Sequence, residues 1–250
     1  MNEIEVKNVS VNYGSVRALD NINLKIRKGE FLGIIGPNGG GKTTLLKALL
    51  GLIKPSEGEI IIKNNKSIGY VPQFSNFDRS FPISVIDVVL MGTLKGRMKF
   101  FKKYKKEDIK NAEKIMKDLG ISEFRNRQIG QLSGGQLQKV LIARALIMDP
   151  DIIILDEPTA SLDANSKTEI YDLLKNLNAT KTIIIVSHDV GVINSYIGNV
   201  ACLNKNLYYH GNDNKLNQDI LEKVYGCPVE ILAHGDTPHR VVMKHEEDKK

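Results

Sequence analysis

Tryptophan is absent from the 250 residues, and only two cysteines occur, Cys202 and Cys227. With no zinc-type spacing and no disulfide framework, they exclude a stapled secreted scaffold and fit two buried thiols in a reducing compartment. No run of sequence reaches the about 18 uninterrupted apolar residues that a membrane helix requires. The opening Met1-Asn2-Glu3-Ile4-Glu5 lacks the basic-then-apolar layout of a secretory signal. These absences give the expectation of a soluble chain on the cytoplasmic side. Charge, by contrast, is plentiful: the net +6 suits nucleic acid, acidic lipid or an acidic partner, but it is unevenly spread. Apolar residues are 42% of the chain, enough to core one large domain or a domain with an insertion.

What is present in abundance is glycine at one place. Residues 36–44, Gly36-Pro37-Asn38-Gly39-Gly40-Gly41-Lys42-Thr43-Thr44, lie between the apolar run Phe31–Ile35 and the helical pattern Leu45–Leu50. The spacing Gly36-x-x-x-x-Gly41-Lys42-Thr43 is a P-loop: backbone amides curl round a β-phosphate, Lys42 reaches the β/γ oxygens, and Thr43 offers a hydroxyl to Mg²⁺. Glycine is required because the turn visits positive φ and must let backbone approach an anion. The helix starting near Lys42 adds its dipole to the same anion.

Upstream, Ile4, Val6 and Val9, then Ile22, Leu24 and Ile26, alternate as two antiparallel strands. Tyr13-Gly14 lies between them, and Tyr13 reads either as a surface aromatic or as a stacking platform for adenine. Downstream, Ser67–Gln73 reads as a short strand, and Gln73 at its end can reach Mg²⁺ or an attacking water. From Phe74 to about Pro150 the spacing turns helical. Inside lies a basic run, Lys95 to Lys106, interleaved with Phe100, Phe101 and Tyr104, which reads as a solvated loop or as a nucleic-acid or headgroup contact. A second glycine turn, Leu132-Ser133-Gly134-Gly135-Gln136, is capped by Ser133 and offers bare amides to a second phosphate. Ile152–Leu155 is apolar throughout, as in a strand buried on both faces, and delivers Asp156 to Mg²⁺ and Glu157 to a water attacking the γ-phosphate. Asp163 starts the next helix. A further buried strand, Thr182–Val186, is followed by Ser187-His188, where His188 reads either as a structural residue or as a contact to the γ-phosphate. Val200–Leu203 and Leu207–His210 form a hairpin, 214–225 a short helix, and 233–250 a polar tail. His234, Asp236, His239 and His245 in that tail are either incidental or a regulatory metal site.

The order Tyr13, Gly36–Thr43, Gln73, Leu132–Gln136, Ile152–Glu157, Ser161–Asp163, His188 resembles the A-loop, Walker A, Q-loop, signature, Walker B, D-loop and H-loop of the nucleotide-binding subunit of an ATP-binding-cassette (ABC) transporter. The resemblance implies an α/β P-loop NTPase with a RecA-like core. The core spans 1–73 and 150–232, with an N-terminal antiparallel β subdomain, and 74–149 is an inserted α-helical subdomain bearing the signature. It further implies ATP and Mg²⁺ as cofactors, with Thr43, Gln73 and Asp156 on the metal. Glu157, His188, Lys42 and Gln73 are the catalytic set. Ser133, Gly134, Gly135 and Gln136 face ATP held by a second copy, in a homodimer formed on ATP binding, and Asp163 belongs to the nucleotide-binding set. Gly39-Gly40-Gly41, the stretch Asp78–Val89 and Tyr225-Gly226-Cys227-Pro228 are similar to zinc and manganese importer ATPases, a layout shared with iron–siderophore and cobalamin importers. The implied partners are membrane permease subunits and, indirectly, an extracytoplasmic metal-binding protein. The implied location is peripheral, on the cytoplasmic face of the membrane, with no nucleic acid expected. A cytosolic ABC ATPase acting on DNA or ribosomes, or a P-loop kinase, is the reading from another class.

Overall fold

The computed structural model describes the chain apart from residues 74–79, 95–103, 188–195, 213–217, 226–228, 235–236 and 244–250. The chain forms two compact units, Met1–Lys66 with Thr182–Lys250, and Ser67–Lys181.

In the first unit the alternating N-terminal pattern becomes β1 (Asn2–Tyr13) and β2 (Val16–Arg27), antiparallel, with β4 (Glu57–Ile62) on the other edge of β1. Ile4, Val6, Leu24 and Ile26 are buried, so the apolar alternation does select one face. Asn8 and Asn21 take positive φ of 48° and 50° where the register shifts, a conformation asparagine tolerates. β3 (Phe31–Ile35) is buried along its whole length between β7 (Thr182–Val186) and β8 (Asn199–Asn204), both parallel to it. β-branched runs buried on both faces are what a parallel sheet demands. β9 (Asn206–Asn212) returns along β8 after Lys205, the expected hairpin. Cys202 is buried in β8, while Cys227 lies outside the described residues.

α1 (Lys42–Leu49) follows β3 and buries Leu45, Leu46, Ala48 and Leu49. It stops as glycine chemistry dictates: Gly51, at φ 69°, donates to Ala48 O at 3.0 Å and Leu52 to Lys47 O at 2.9 Å. Those two bonds satisfy carbonyls that the helix end leaves free.

Glu30, at the start of β3, ties this unit together. Its carboxylate accepts from Arg27 N at 2.6 Å and Asn199 Nδ2 at 2.9 Å, and His210 Nε2 stands 3.7 Å away. Burial pushes its pKa up, but the bonds from His210, Arg27 and Asn199 outweigh that and hold it below the usual 4.5. A depressed carboxylate contributes stability above its unfolded pKa and loses it as pH falls through the folded one. Glu30→Gln is therefore expected to lower the melting temperature at pH 7, and the gap from the native chain should close progressively below pH 4.5. Thermal melts from pH 7 to pH 3 check this; a gap that stays constant would contradict it.

Beyond β9, α6 (Gln218–Tyr225) is held by Asn204 Nδ2 on Val224 O at 2.7 Å. β10 (Val229–His234) pairs antiparallel with β11 (Thr237–Met243), Ile231 opposite Val241, so that β11 and the end of β10 fall within the 233–250 stretch read as a polar tail. Val229, Ile231, Val241 and Val242 are β-branched, and that preference outweighs the polar composition around them. His234 ends β10 and His239 lies in β11, whereas Asp236 and His245 fall outside the described residues.

The second unit pairs β5 (Ile68–Val71) in parallel with β6 (Ile152–Asp156). Its helices are α2 (Val85–Met91), α3 (Lys106–Asp118), α4 (Gly134–Leu146) and α5 (Ala164–Asn178). Of these, α2–α4 fall within residues 74–149. α4 buries Leu137, Gln138, Val140, Leu141, Ile142 and Ala143 in succession, as a helix enclosed on most sides must. Gly92, just after α2, sits so close to α4 that a Cβ there would lie 2.0 Å from Arg144 O. Of the basic run, 95–103 lies outside the described residues; Lys105 then opens α3, its N–H donating to Asp108 Oδ2 at 3.1 Å.

Candidate functional site

The first unit supplies a loop shaped for an anion. Gly36, Gly39 and Gly41 have φ of 152°, 77° and 93°, conformations that L side chains resist. The sequence shows why glycine suits the turn, but not how tightly its neighbours grip it. A Cβ on Gly36 would lie 1.8 Å from Leu203 O, and one on Gly41 2.6 Å from Ala18 O. Lys205 N donates to Gly40 O at 2.8 Å, so β2 and the β8–β9 turn fix the loop. Lys42 is buried, and its Nζ donates to Gly36 O and Pro37 O, both at 2.8 Å. Those bonds offset the cost of burying an ammonium and fold the side chain back over the loop. Thr43 is exposed and Thr44 half-buried in the first turn of α1, Pro37 is half-buried, and Asn38 and Gly39 face solvent. Tyr13 ends β1 with 49% of its surface open, so its ring is available for stacking.

The second unit carries the acidic residues. Asp156 is buried at the carboxyl end of β6, after four apolar residues that are wholly enclosed. Glu157 has φ 45°, a left-handed conformation that costs a non-glycine residue about 1–2 kcal/mol. Gln73 Nε2 donates to Glu157 Oε2 at 3.1 Å. The strained backbone and the bond to a residue far away in the chain fix this carboxylate, which the residue pattern alone could not reveal. Tyr70 stands opposite Ile154 in the β5–β6 ladder, hence on the face shared by Asp156. Burial, then the charge of Asp156, push the Tyr70 hydroxyl up, with Arg144 opposing them; burial pulls the Arg144 guanidinium down. Sequence reasoning missed both residues. An arginine inside the apolar stretch Leu141–Leu146 is the signal that could have found one of them.

The serine-capped turn is built as expected. Ser133 Oγ accepts from Gln136 N at 3.3 Å, and Gln136 Oε1 accepts from Ser133 N at 3.0 Å, a reciprocal box. Its glycines have a second use. A Cβ on Gly134 would lie 2.9 Å from Leu162 Cδ2, and one on Gly135 2.9 Å from Ser166 Oγ. Asp163 caps α5 by accepting from Ser166 N at 3.0 Å, and that N–H leads the causes holding its carboxyl below the usual range. The turn and the cap of α5 are therefore packed against each other through Ser166. The structure brings together Gln73 with Glu157, and Ser133–Gln136 with Asp163. His188 lies outside the described residues.

Comparison with known proteins follows the same lines. A family model described as "ABC transporter" matches residues 19–160. The zinc uptake system ATP-binding protein ZurA of Listeria innocua is 38% identical over 92% of this chain and 92% of its own. The manganese transport system ATP-binding protein MntB of Bacillus subtilis is 39% identical over 93% of this chain and 98% of its own. A bacterial ABC transporter cassette solved as a dimer superposes with a TM-score of 0.70 at 34% identity, covering 84% of this chain and 98% of that one.

Proposed function

The chain belongs to the ABC transporter family, and from that premise we propose that it hydrolyses ATP to drive import of a divalent metal ion, zinc or manganese, through separate membrane subunits. The observation that supports this best is the 38% and 39% identity, over more than nine tenths of the chain, to zinc and manganese ATP-binding proteins, in a chain that carries the phosphate loop, the Ser-Gly-Gly turn and the Asp-Glu strand end.

In this proposal the nucleotide-binding core is 1–73 with 150–232, and the helical subdomain is 74–149. Adenine stacks on Tyr13. The amides of Gly36–Thr44 bind the phosphates, and Lys42 swings from the loop carbonyls to the β/γ oxygens. The hard oxygen donors of Thr43, Gln73 and Asp156 suit Mg²⁺, which when bound would offset charge on the transferring phosphoryl. Glu157 and His188 orient the attacking water, and Gln73, leaving Glu157, frees that carboxylate to take its proton. Ser133, Gly134, Gly135 and Gln136 approach the ATP of a second copy, and Asp163 belongs to the nucleotide-binding set. No helix among the described residues is long and apolar enough to cross a membrane, in keeping with permease subunits supplied by other chains and a peripheral, cytoplasmic-face location. An extracytoplasmic metal-binding protein acts through those subunits.

Deletion of the coding region should abolish uptake of radioactive zinc or manganese by cells starved of that metal. The native chain should restore uptake, and the Lys42→Ala chain should not. Unimpaired uptake of both metals in the deletion strain, with iron–siderophore or cobalamin uptake lost instead, would overturn the metal assignment.

A further inference from the structure

Gln138 lies in α4, one turn beyond the serine-capped glycines, and is fully enclosed. Neither its Nε2 nor its Oε1 has a hydrogen-bond partner, and among the described residues it is the one buried side chain of which this is true. Elsewhere in the same unit buried polar groups are served: Thr159 Oγ1, for example, lies 3.3 Å from the Tyr171 hydroxyl. An amide stripped of water and left without partners is costly, and an apolar side chain of the same length would avoid the cost. A glutamine in that position is explained if another state of the protein gives it partners.

The placement of α4 indicates where those partners lie. Asp151 and Ile152, entering β6, both donate to Ser67 O at 3.1 Å, and a Cβ on Gly69 would lie 2.7 Å from Ala145 O. The carboxyl end of α4 thus sits at the amino end of β5 and β6, and the helix runs back along them. Gln138 is seven residues, or about 10 Å, up the helix from Ala145 and on the same helix face. β5 ends at Val71, and Gln73, two residues further on, lies at most about 13 Å from Gly69 along the strand direction. The two levels therefore differ by no more than about one residue of strand. In this structure Gln73 is bonded to Glu157 while the Gln138 amide is unpartnered.

We propose that Gln138 is a positioning residue for hydrolysis: in the ATP-loaded state its buried amide bonds the main chain of Pro72–Gln73 and draws Gln73 off Glu157. The proposal rests on the ATPase reading above. Gln73 then turns toward the metal, and the Glu157 carboxylate is released for the water. The conformation with Gln73 on Glu157 carries the cost of the unpartnered amide, and the ATP-loaded one recovers it.

Gln138→Met and Gln138→Leu in the full-length chain test this by three readouts: melting temperature without nucleotide, kcat and KM for ATP, and ATP-driven dimerisation in the Glu157→Gln background. Both variants are expected to melt about 2–4 °C higher than the native chain. Both should lose at least tenfold in kcat with KM within twofold, and dimerise at tenfold higher protein concentration. Native kcat in both would show the amide idle and overturn the proposal. Lower melting temperatures, or failure of both variants to fold, would overturn it too, because they would mean that the conformation with Gln73 on Glu157 already uses the amide. Absence of hydrolysis by the native chain, measured first in the same assay, would instead strike the ATPase reading itself.

Discussion

Glu157→Gln should reduce steady-state ATP turnover by about 10²–10⁴-fold, the usual contribution of a positioned general base, while leaving ATP binding intact. The substitution is close to isosteric, and an amide oxygen at position 157 can still accept from Gln73 Nε2, which now lies 3.1 Å from the carboxylate. The left-handed backbone at φ 45° is no worse for glutamine than for glutamate. Loss of rate with retained affinity therefore isolates the proton-accepting role from any structural one. Phosphate release at saturating ATP, alongside binding of a fluorescent ATP analogue, checks it. Turnover within threefold of the native rate would show that another group accepts the proton.

Gly36→Ala should have the larger effect on binding. The new methyl would meet Leu203 O at 1.8 Å, far inside contact distance and against main chain, which cannot swing aside. Either the loop or the end of β8 must move, and a moving loop carries with it Gly36 O, where Lys42 is anchored at 2.8 Å. Affinity for ATP is expected to fall at least a hundredfold, with a drop of several degrees in melting temperature. Gly39→Ala supplies the contrast: φ there is 77° but nothing stands within 4 Å of the added carbon. It carries only the backbone strain, about 1–2 kcal/mol, and should weaken binding roughly tenfold. Titration calorimetry on both variants orders them. Equal losses would mean that conformation alone, and not the packing of Leu203, governs position 36.

These two sites differ in how openly the sequence declares them. The phosphate loop is legible because glycines, lysine and threonine recur at fixed offsets within nine residues, and each offset answers a local need for positive φ, for a cation or for a hydroxyl. The same holds for the serine cap of α4 and for β3, β6 and β7, whose unbroken apolar runs announce burial on both faces. What the sequence withheld depends on residues far apart in the chain. The grip of Leu203 on Gly36, the bond from Gln73 to Glu157 and the seat of Ser166 beneath Gly135 are each set by tertiary packing, which no window of neighbouring residues encodes. The C-terminal hairpin shows the opposite failure. Its charged and histidine residues drew attention to composition, while Val229 and Ile231 in β10 stand just before the 233–250 stretch and Val241 and Val242 in β11 stand within it. Gln138 was hidden by its neighbours: between Gln136 and Lys139 at the polar start of α4, one more glutamine reads as a surface position until its burial is known.

The account's central claim, that two copies of this chain enclose ATP between the phosphate loop of one and the Ser133–Gln136 turn of the other, is tested most directly by light scattering on the Glu157→Gln protein. With saturating MgATP the mass should double, and it should return to that of a single chain when ATP is replaced by ADP or when Ser133→Arg is added. A single-chain mass throughout, in samples shown by the same titration to hold ATP, would contradict it.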